Sequence, residues 1–171
     1  MPYLRGRPLQ IGFLPGLRTE KGQLRSGGDA GQEVHAGSFI HRRRIVLESG
    51  LAAHPCELAR VLVHELFHFI WLRAGNPTRR SFEVLLETEM MRQAWGELGW
   101  SAESRKRSLR IGDRLRRSRR WREYVCESFC DSAAWLLAGL RAHEEFTLTL
   151  RHRRARREWF RRMLARDEIS I

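Results

Sequence analysis

The chain has 171 residues, enough for one domain with a sizeable core, and we expect a single domain over residues 1–171. It lacks any apolar run of about 18 residues, which argues against a membrane span and a membrane partner. Its net charge of +12 is almost entirely due to arginine and would attract phosphates or acidic partners.

The N-terminal part is predicted to form a small β-sheet. A strand-like run lies near Gln10–Leu14, and closely spaced glycines make Gly22–Gly31 a loop. Residues Ser38–Leu47 hold strand material with partial alternation, and the Ser49-Gly50 pair then turns the chain. The helical patterns that follow dominate, so the sequence predicts an α+β fold, mainly helical, with a small N-terminal sheet.

The stretch Val61–Trp71 reads VLVHELFHFIW and contains the pattern H-E-x-x-H. In a helix expected over Pro55–Arg73, His64 and His68 lie one turn apart on one face and can both reach Zn²⁺ at about 2.0–2.1 Å. Glu65 beside them is placed to accept a proton from water at the metal. Two hydrogen-bonded histidines without a metal are a weaker explanation, because this apolar helix is expected to be buried and its polar groups need partners.

Residues 74–122 are expected to form a helical, arginine-rich insertion, and the substrate cleft is expected to be either shallow or gated by it. A helix is predicted over Thr78–Leu98, and the polar segment Ser101–Arg120 is a candidate for a mobile excursion. Glu83 and Glu87 share a face of the predicted helix. Such a pair beside arginines is more typical of a solvated face than of metal ligands.

A third metal ligand is predicted on a helix over about Arg120–Leu140. Glu127 and Asp131 lie four residues apart on one face of it, among apolar neighbours where unpaired acids are costly to bury. We therefore assign Glu127 to the metal. Asp131 is expected to accept a hydrogen bond from the second ring nitrogen of a ligand histidine, which fixes its tautomer. The alternative is that both acids pair with arginines at a helix surface.

Together, H-E-x-x-H and a later helix carrying E-x-x-x-D resemble the gluzincins, the thermolysin-type zinc metallopeptidases. The chain looks closest to their minimal single-domain members, and somewhat like gluzincin-like peptidases that cleave bacterial repressors. The resemblance implies a zincin-like fold whose H-E-x-x-H helix packs against the helix with the third ligand. It implies that His64, His68 and Glu127 bind zinc, that Glu65 is the general base and that Asp131 supports a ligand.

The resemblance covers mainly residues 55–73 and 122–139. The segment between the motifs, residues 69–126, is much longer than in thermolysin, and a metzincin is disfavoured because its third-histidine motif and Met-turn are absent. In similar proteins an edge strand lies above the metal and a substrate adds to it as another strand. Ser38–Leu47, which directly precedes the zinc helix, is the expected counterpart.

The predicted function is therefore that of a zinc-dependent peptidase acting on a peptide or protein substrate. A donor for the oxyanion is also expected. Tyr124, His143 and Arg141 are candidates because they lie near the Glu127 helix in sequence. Further third-ligand candidates, which lack an apolar helical frame, are His143, Glu144 and His152.

Arginines cluster at Arg42–Arg44, Arg105–Arg122 and Arg151–Arg162. The last cluster predicts an amphipathic final helix, preceded by Phe146–Leu150 as a short strand or extended connector. Basic patches are non-specific signals, and nucleic acid is the weaker partner prediction. The alternative function is accordingly a nucleic-acid-associated regulatory protein with a zincin fold, which either cleaves a repressor or binds zinc without catalysis.

The cysteines favour a reducing compartment. Cys56, Cys126 and Cys130 are odd in number, and the last two lie four residues apart on one predicted helix, a poor geometry for a disulfide. Residues 1–22 carry no charged-then-apolar signal pattern. We therefore expect free thiols and a cytoplasmic protein. A second metal site that uses cysteines would need further cysteine partners.

Overall fold

The computed structural model describes residues 4–165 and 169–171, which form an α+β fold, as the sequence predicts. The helices are α1 (Pro55–Arg73), α2 (Asn76–Met91), α3 (Trp100–Arg107), α4 (Arg119–Leu137) and α5 (Leu150–Leu164). The strands are β1 (Leu4–Arg5), β2 (Gln10–Leu14), β3 (Leu17–Glu20), β4 (Gln23–Ser26), β5 (Gln32–Glu33), β6 (Ala36–Phe39), β7 (Arg44–Glu48) and β8 (Ile169–Ser170). Within this part of the chain, no helix is long and apolar enough to cross a bilayer.

The strands form three small sheets, one of which carries the site. In that sheet the order is β2-β7-β6, with β2 parallel and β6 antiparallel to the central β7. The antiparallel sheet β4-β3-β5 and the parallel pair β1-β8 complete the set. Ile45 and Leu47 of β7 are fully buried and pack with Val61 and Phe69 of α1. This contact holds α1 against the sheet.

The prediction of one strand over Ser38–Leu47 is wrong. A short 3-10 helix over Ile40–Arg42 separates β6 from β7, and Arg43 closes it with a left-handed backbone (φ 50°). The arginine run that interrupts the hydrophobic alternation is where the chain reverses. As a consequence β7 is the central strand, and the edge strand beside α1 is the shorter β6.

The two helices that carry the motifs pack side by side. α1 begins at Pro55, whose fixed φ suits the first turn, and Glu57 there complements the helix dipole. α4 begins at Arg119, after α2 and α3, and Ser118 caps it by accepting a hydrogen bond from Trp121 N. Both helices contribute to the main core, where Phe67 and Phe129 have ring centroids 5.6 Å apart.

The insertion between the motifs differs from its prediction. α2 ends at Met91 rather than at Leu98, because Gln93 and Gly96 adopt left-handed backbone conformations. The predicted mobile excursion is wrong for its first part, which forms α3 and packs against α4. Ala102 of α3 is fully buried, so this polar segment is anchored through its small residue.

The C-terminal part follows its prediction with one exception. The segment Phe146–Leu148 is an extended connector, whose Thr147 and Leu148 amides donate to Glu97 O. α5 is amphipathic and buries an apolar face that includes Trp159 and Phe160. However, Arg156, which belongs to the arginine cluster Arg151–Arg162, is completely buried.

Candidate metal centre

Three side-chain atoms from α1 and α4 converge at one point. His64 Nε2 lies 3.2 Å from His68 Nε2 and 3.3 Å from Glu127 Oε2, and His68 Nε2 lies 3.8 Å from the same oxygen. Ligand atoms at about 2.0–2.1 Å from a tetrahedral Zn²⁺ are separated by about 3.3–3.4 Å. The spacing therefore fits one zinc ion held by two imidazoles and a carboxylate.

Asp131 fixes the ring of His64. Its Oδ1 lies 2.7 Å from His64 Nδ1, so Nδ1 is the nitrogen that donates to the carboxylate and Nε2 is the nitrogen that faces the metal point. The other carboxylate oxygen accepts a hydrogen bond from the Ala102 amide of α3 at 2.8 Å. Asp131 is thus buried with both oxygens satisfied, and α3 takes part in orienting a candidate ligand.

The ionisable groups at this point shift one another's pKa. Burial acts to lower the pKa of His64, but the Asp131 carboxylate, by charge and by hydrogen bond, raises it well above its usual range. Burial acts to raise the pKa of Glu127, yet the hydrogen bond from His64 and the two imidazoles lower it. The protein therefore favours positive charge here. Because protons compete with a metal for imidazole nitrogen, metal affinity should fall as pH falls.

Two thiols occupy the other side of His68. Cys126 Sγ and Cys130 Sγ each lie 3.5 Å from His68 Nδ1. A hydrogen bond with Cys130, and a weaker contribution from His68, lower the pKa of Cys126 to about 6, whereas burial raises the pKa of Cys130 well above its usual range. The two thiols therefore contact the His68 ring at Nδ1, the nitrogen that does not face the metal point.

Cys130 also forms a second possible ligand set with His64 and His68, whose ligand atoms lie within 4.8 Å of one another. We favour Glu127 as the third ligand. Cys130 contacts the Nδ1 side of the His68 ring, while Glu127 and His64 meet its Nε2, and one ion cannot bind both nitrogens of a ring. Metal binding with Glu127 as the third ligand also keeps the His64 tautomer that the hydrogen bond to Asp131 fixes.

Glu65 lies beside the metal point and is held by the edge strand. Ser38 Oγ of β6 donates a hydrogen bond to Glu65 Oε2 at 2.5 Å. Glu65, His64, His68 and Glu127 all line a cleft of about 640 Å³. The wall of this cleft also includes Ser101, Arg119 and Arg122 from the insertion and α4, in addition to residues of β6.

The predicted oxyanion donors are not part of this cleft. Tyr124 is fully buried, and its hydroxyl donates to Glu97 Oε1 at 2.6 Å. His143 Nε2 lies 3.2 Å from Glu57 Oε2, and Arg141 is exposed beyond the end of α4. Tyr124 and His143, which the sequence offered as oxyanion donors, therefore each contact a carboxylate outside this cleft.

The remaining third-ligand candidates are also elsewhere. Glu83 binds Arg117 through both carboxylate oxygens, at 2.9 and 2.7 Å, and Glu87 pairs with Arg80. Glu144 is exposed, and His152 is buried in α5. None of these side chains lines the metal cleft within the part of the chain that the structure describes.

Sequence reasoning missed Ser38, Ala102, Gly99 and the two thiols at His68. Gly99 has an extended backbone (φ 179°), which any residue adopts, so its requirement is steric. A Cβ built there would overlap the carboxylate of Asp131. No local pattern identifies such contacts, because each joins segments far apart in the chain.

Replacing Gly99 by alanine should displace Asp131 from His64. We expect zinc affinity to fall about 10–100-fold, as for loss of an outer-sphere partner, and stability to fall by about 1–3 kcal/mol from overpacking. Competition titration with a chromophoric chelator and urea unfolding measure the two effects. Gly50→Ala is the matched control, since a Cβ at Gly50 meets nothing within 4 Å. Equal zinc affinity in both variants would contradict the role of Gly99.

Comparison with protein-family models, with curated proteins and with solved structures finds no match to this chain. The resemblance to the gluzincins therefore stays a prediction that rests on the two motifs. The geometry of His64, His68, Glu127 and Glu65 is independent of that resemblance.

Proposed function

We propose that this protein is a zinc-dependent peptidase in which His64, His68 and Glu127 hold the metal and Glu65 is the general base. The observation that carries the proposal is the convergence of the three ligand atoms, 3.2–3.8 Å apart, beside the carboxylate of Glu65 in one cleft. Three protein ligands at an accessible cleft are typical of catalytic zinc, whereas structural zinc is closed by four.

The residues divide the work of hydrolysis. Zinc, when bound, would polarise the scissile carbonyl and make water more acidic. Glu65 accepts a proton from the attacking water while the water oxygen forms a bond to the carbonyl carbon. Glu65 then returns that proton to the amine nitrogen as the C–N bond breaks. Ser38 holds Glu65 Oε2, so the carboxylate keeps one orientation while its other oxygen carries the proton. Asp131 keeps the His64 tautomer constant throughout.

The position of β6 supports a peptide as the substrate, and with it a zincin-like fold. Among the described strands β6 pairs only with β7, and Gly37 and Ser38 of β6 line the metal cleft. An extended peptide can hydrogen-bond to an edge strand of this kind and place one carbonyl over the cleft. Strand addition provides affinity through the backbone, so other contacts have to decide the sequence preference.

The metal site is tested by the zinc content of purified variants. We expect about one zinc per chain in the wild type and a loss of affinity of at least about 100-fold in Glu127→Ala, since removing a direct ligand exceeds outer-sphere effects. Cys130→Ser should stay within tenfold of the wild type, and Glu123→Ala, in the same cleft, is the control. A larger loss of zinc affinity in Cys130→Ser than in Glu127→Ala would instead identify Cys130 as the third ligand.

The activity is tested with a mixed peptide library analysed by mass spectrometry. Zinc-loaded protein should release new termini, chelator treatment should stop the release, and added zinc should restore it. A zinc-loaded, folded protein that cleaves no peptide in the library would contradict the peptidase proposal.

A further inference from the structure

A second cavity adjoins the metal cleft. It has a volume of about 650 Å³ and lies between the start of α2, the loop before α4 and the end of α1. Trp71 and Arg122 line both this cavity and the metal cleft. A molecule bound across the metal cleft can therefore extend a group into this cavity. We call the cavity the α2–α4 pocket.

The α2–α4 pocket is strongly basic. Four arginines and one glutamate line it: Arg79, Arg80, Arg117, Arg122 and Glu83. Glu83 is neutralised by its bidentate pair with Arg117, and Arg80 is shared between Glu83 and Glu87. These pairs leave the charges of the remaining two arginines without an internal counter-charge.

Those two arginines are Arg79 and Arg122. The guanidinium of Arg79 donates to a neutral oxygen, Asn76 Oδ1, at 2.7 Å. Over residues 4–165 and 169–171, no carboxylate forms an ion pair with either Arg79 or Arg122. Arginine presents a planar fork of donors that fits a carboxylate bidentately, which makes an unpaired arginine in a cavity a binding group for such an anion.

We propose that the α2–α4 pocket is a specificity subsite that binds an acidic side chain, glutamate or aspartate, of the peptide substrate. Arg122, at the junction of the pocket with the metal cleft, is the principal contact, and Arg79 supports it. The proposal rests on the proposed function in that the ligand is a peptide held across the metal cleft. It adds the chemical class of that peptide, which the metal centre alone does not define.

The shape of the pocket favours a side chain over a nucleic acid. A cavity of this volume lies in the range of about 300–1,000 Å³ that is usual for pockets that bind small ligands. Its walls include the apolar surfaces of Trp71, Pro77 and Val125, which suit the methylene stem of glutamate. Duplex DNA, by contrast, is bound through rows of phosphates along an extended basic surface.

Binding and cleavage of matched peptides test the subsite separately. One peptide series carries a single glutamate at successive positions, and two further series carry glutamine or lysine at the same positions. Affinity is measured by fluorescence anisotropy with the zinc-loaded Glu65→Gln protein, and kcat/KM is measured with the wild type. We expect one position at which glutamate binds about tenfold more tightly than glutamine, with the gain falling as salt rises.

Variants at Arg122 identify the contact. Arg122→Ala should remove the preference for glutamate, and Arg122→Glu should replace it by a preference for lysine at the same position. Arg120→Ala is the matched control, because Arg120 is an exposed arginine of the same helix that does not line the pocket. It should keep the preference of the wild type.

The outcomes separate this inference from the proposed function. Cleavage without any charge preference would overturn the subsite and leave the peptidase. Selective binding of the glutamate series without cleavage would support the subsite and count against the peptidase. Equal affinity for all three series, together with tight binding of a labelled oligonucleotide that Arg122→Glu weakens, would overturn the subsite in favour of a nucleic-acid surface.

Discussion

Glu65→Gln is expected to reduce peptide hydrolysis by about 10³-fold while leaving zinc bound. A general base contributes about 10²–10⁴-fold, and glutamine cannot accept the proton of the attacking water. Glutamine is nearly isosteric, and its side-chain oxygen can still accept the hydrogen bond that Ser38 donates to Glu65. The proposed metal ligands His64, His68 and Glu127 are unchanged, so zinc content should match that of the wild type.

The loss should appear in kcat and kcat/KM together, because an interaction confined to the transition state affects both. Glu123→Gln is the control, since Glu123 lines the same cleft but pairs with Arg119 at 2.7 Å. It should retain wild-type rates. Zinc loss in Glu65→Gln would instead give Glu65 a structural role, and full activity with zinc bound would assign the base elsewhere.

Arg156→Met is expected to destabilise the fold by about 3–5 kcal/mol, the usual effect of removing one partner from a buried ion pair. Arg156 is completely buried and binds Glu89 Oε2 at 2.6 Å and Glu97 Oε2 at 2.8 Å. Methionine fills much of the same volume but leaves two buried carboxylates without this cation. Urea unfolding measures the change in unfolding free energy, and the midpoint of thermal unfolding should fall by about 10 °C.

The effect should depend on pH in a defined direction. Burial acts to raise the pKa of Glu97, but the charge and hydrogen bond of Arg156 with other contacts lower it, so ionised Glu97 stabilises the wild type above its ordinary pKa of 4.5. This stabilisation is lost as pH falls through the lower pKa of the folded state. In Arg156→Met the carboxyl gains little from ionisation, so the difference between the two proteins should shrink on acidification.

A control and a rescue make this test specific to the buried network. Arg154→Met removes an exposed arginine from the same helix and should change stability by less than about 0.5 kcal/mol. Adding Glu89→Gln and Glu97→Gln to Arg156→Met should recover part of the loss, because neutral amides cost less to bury. An unfolding free energy equal to that of the wild type would show that Arg156 is dispensable.

The sequence alone identified the residues of the candidate metal centre because their spacing is a property of single helices. Four-residue spacing places His64 beside His68 in α1, and Glu127 beside Asp131 in α4, whatever the rest of the fold does. The sequence also predicted that the acids among apolar neighbours need partners, because the free-energy cost of burying a carboxylate is the same whichever partner offsets it. The sequence also anticipated the α+β class and the final amphipathic helix.

Only the tertiary structure decided which distant groups complete the site. Ser38 reaches Glu65 because β6 lies at the edge of the sheet, and Ser38–Leu47 forms two strands because the chain reverses before Arg44 and β6 then pairs with β7. Whether an arginine is solvated, as Arg154 is, or buried, as Arg156 is, depends on carboxylates contributed by other segments. Hydrophobic periodicity records how much of a helix is buried, whereas the partner of each polar group is set by packing between segments remote in sequence.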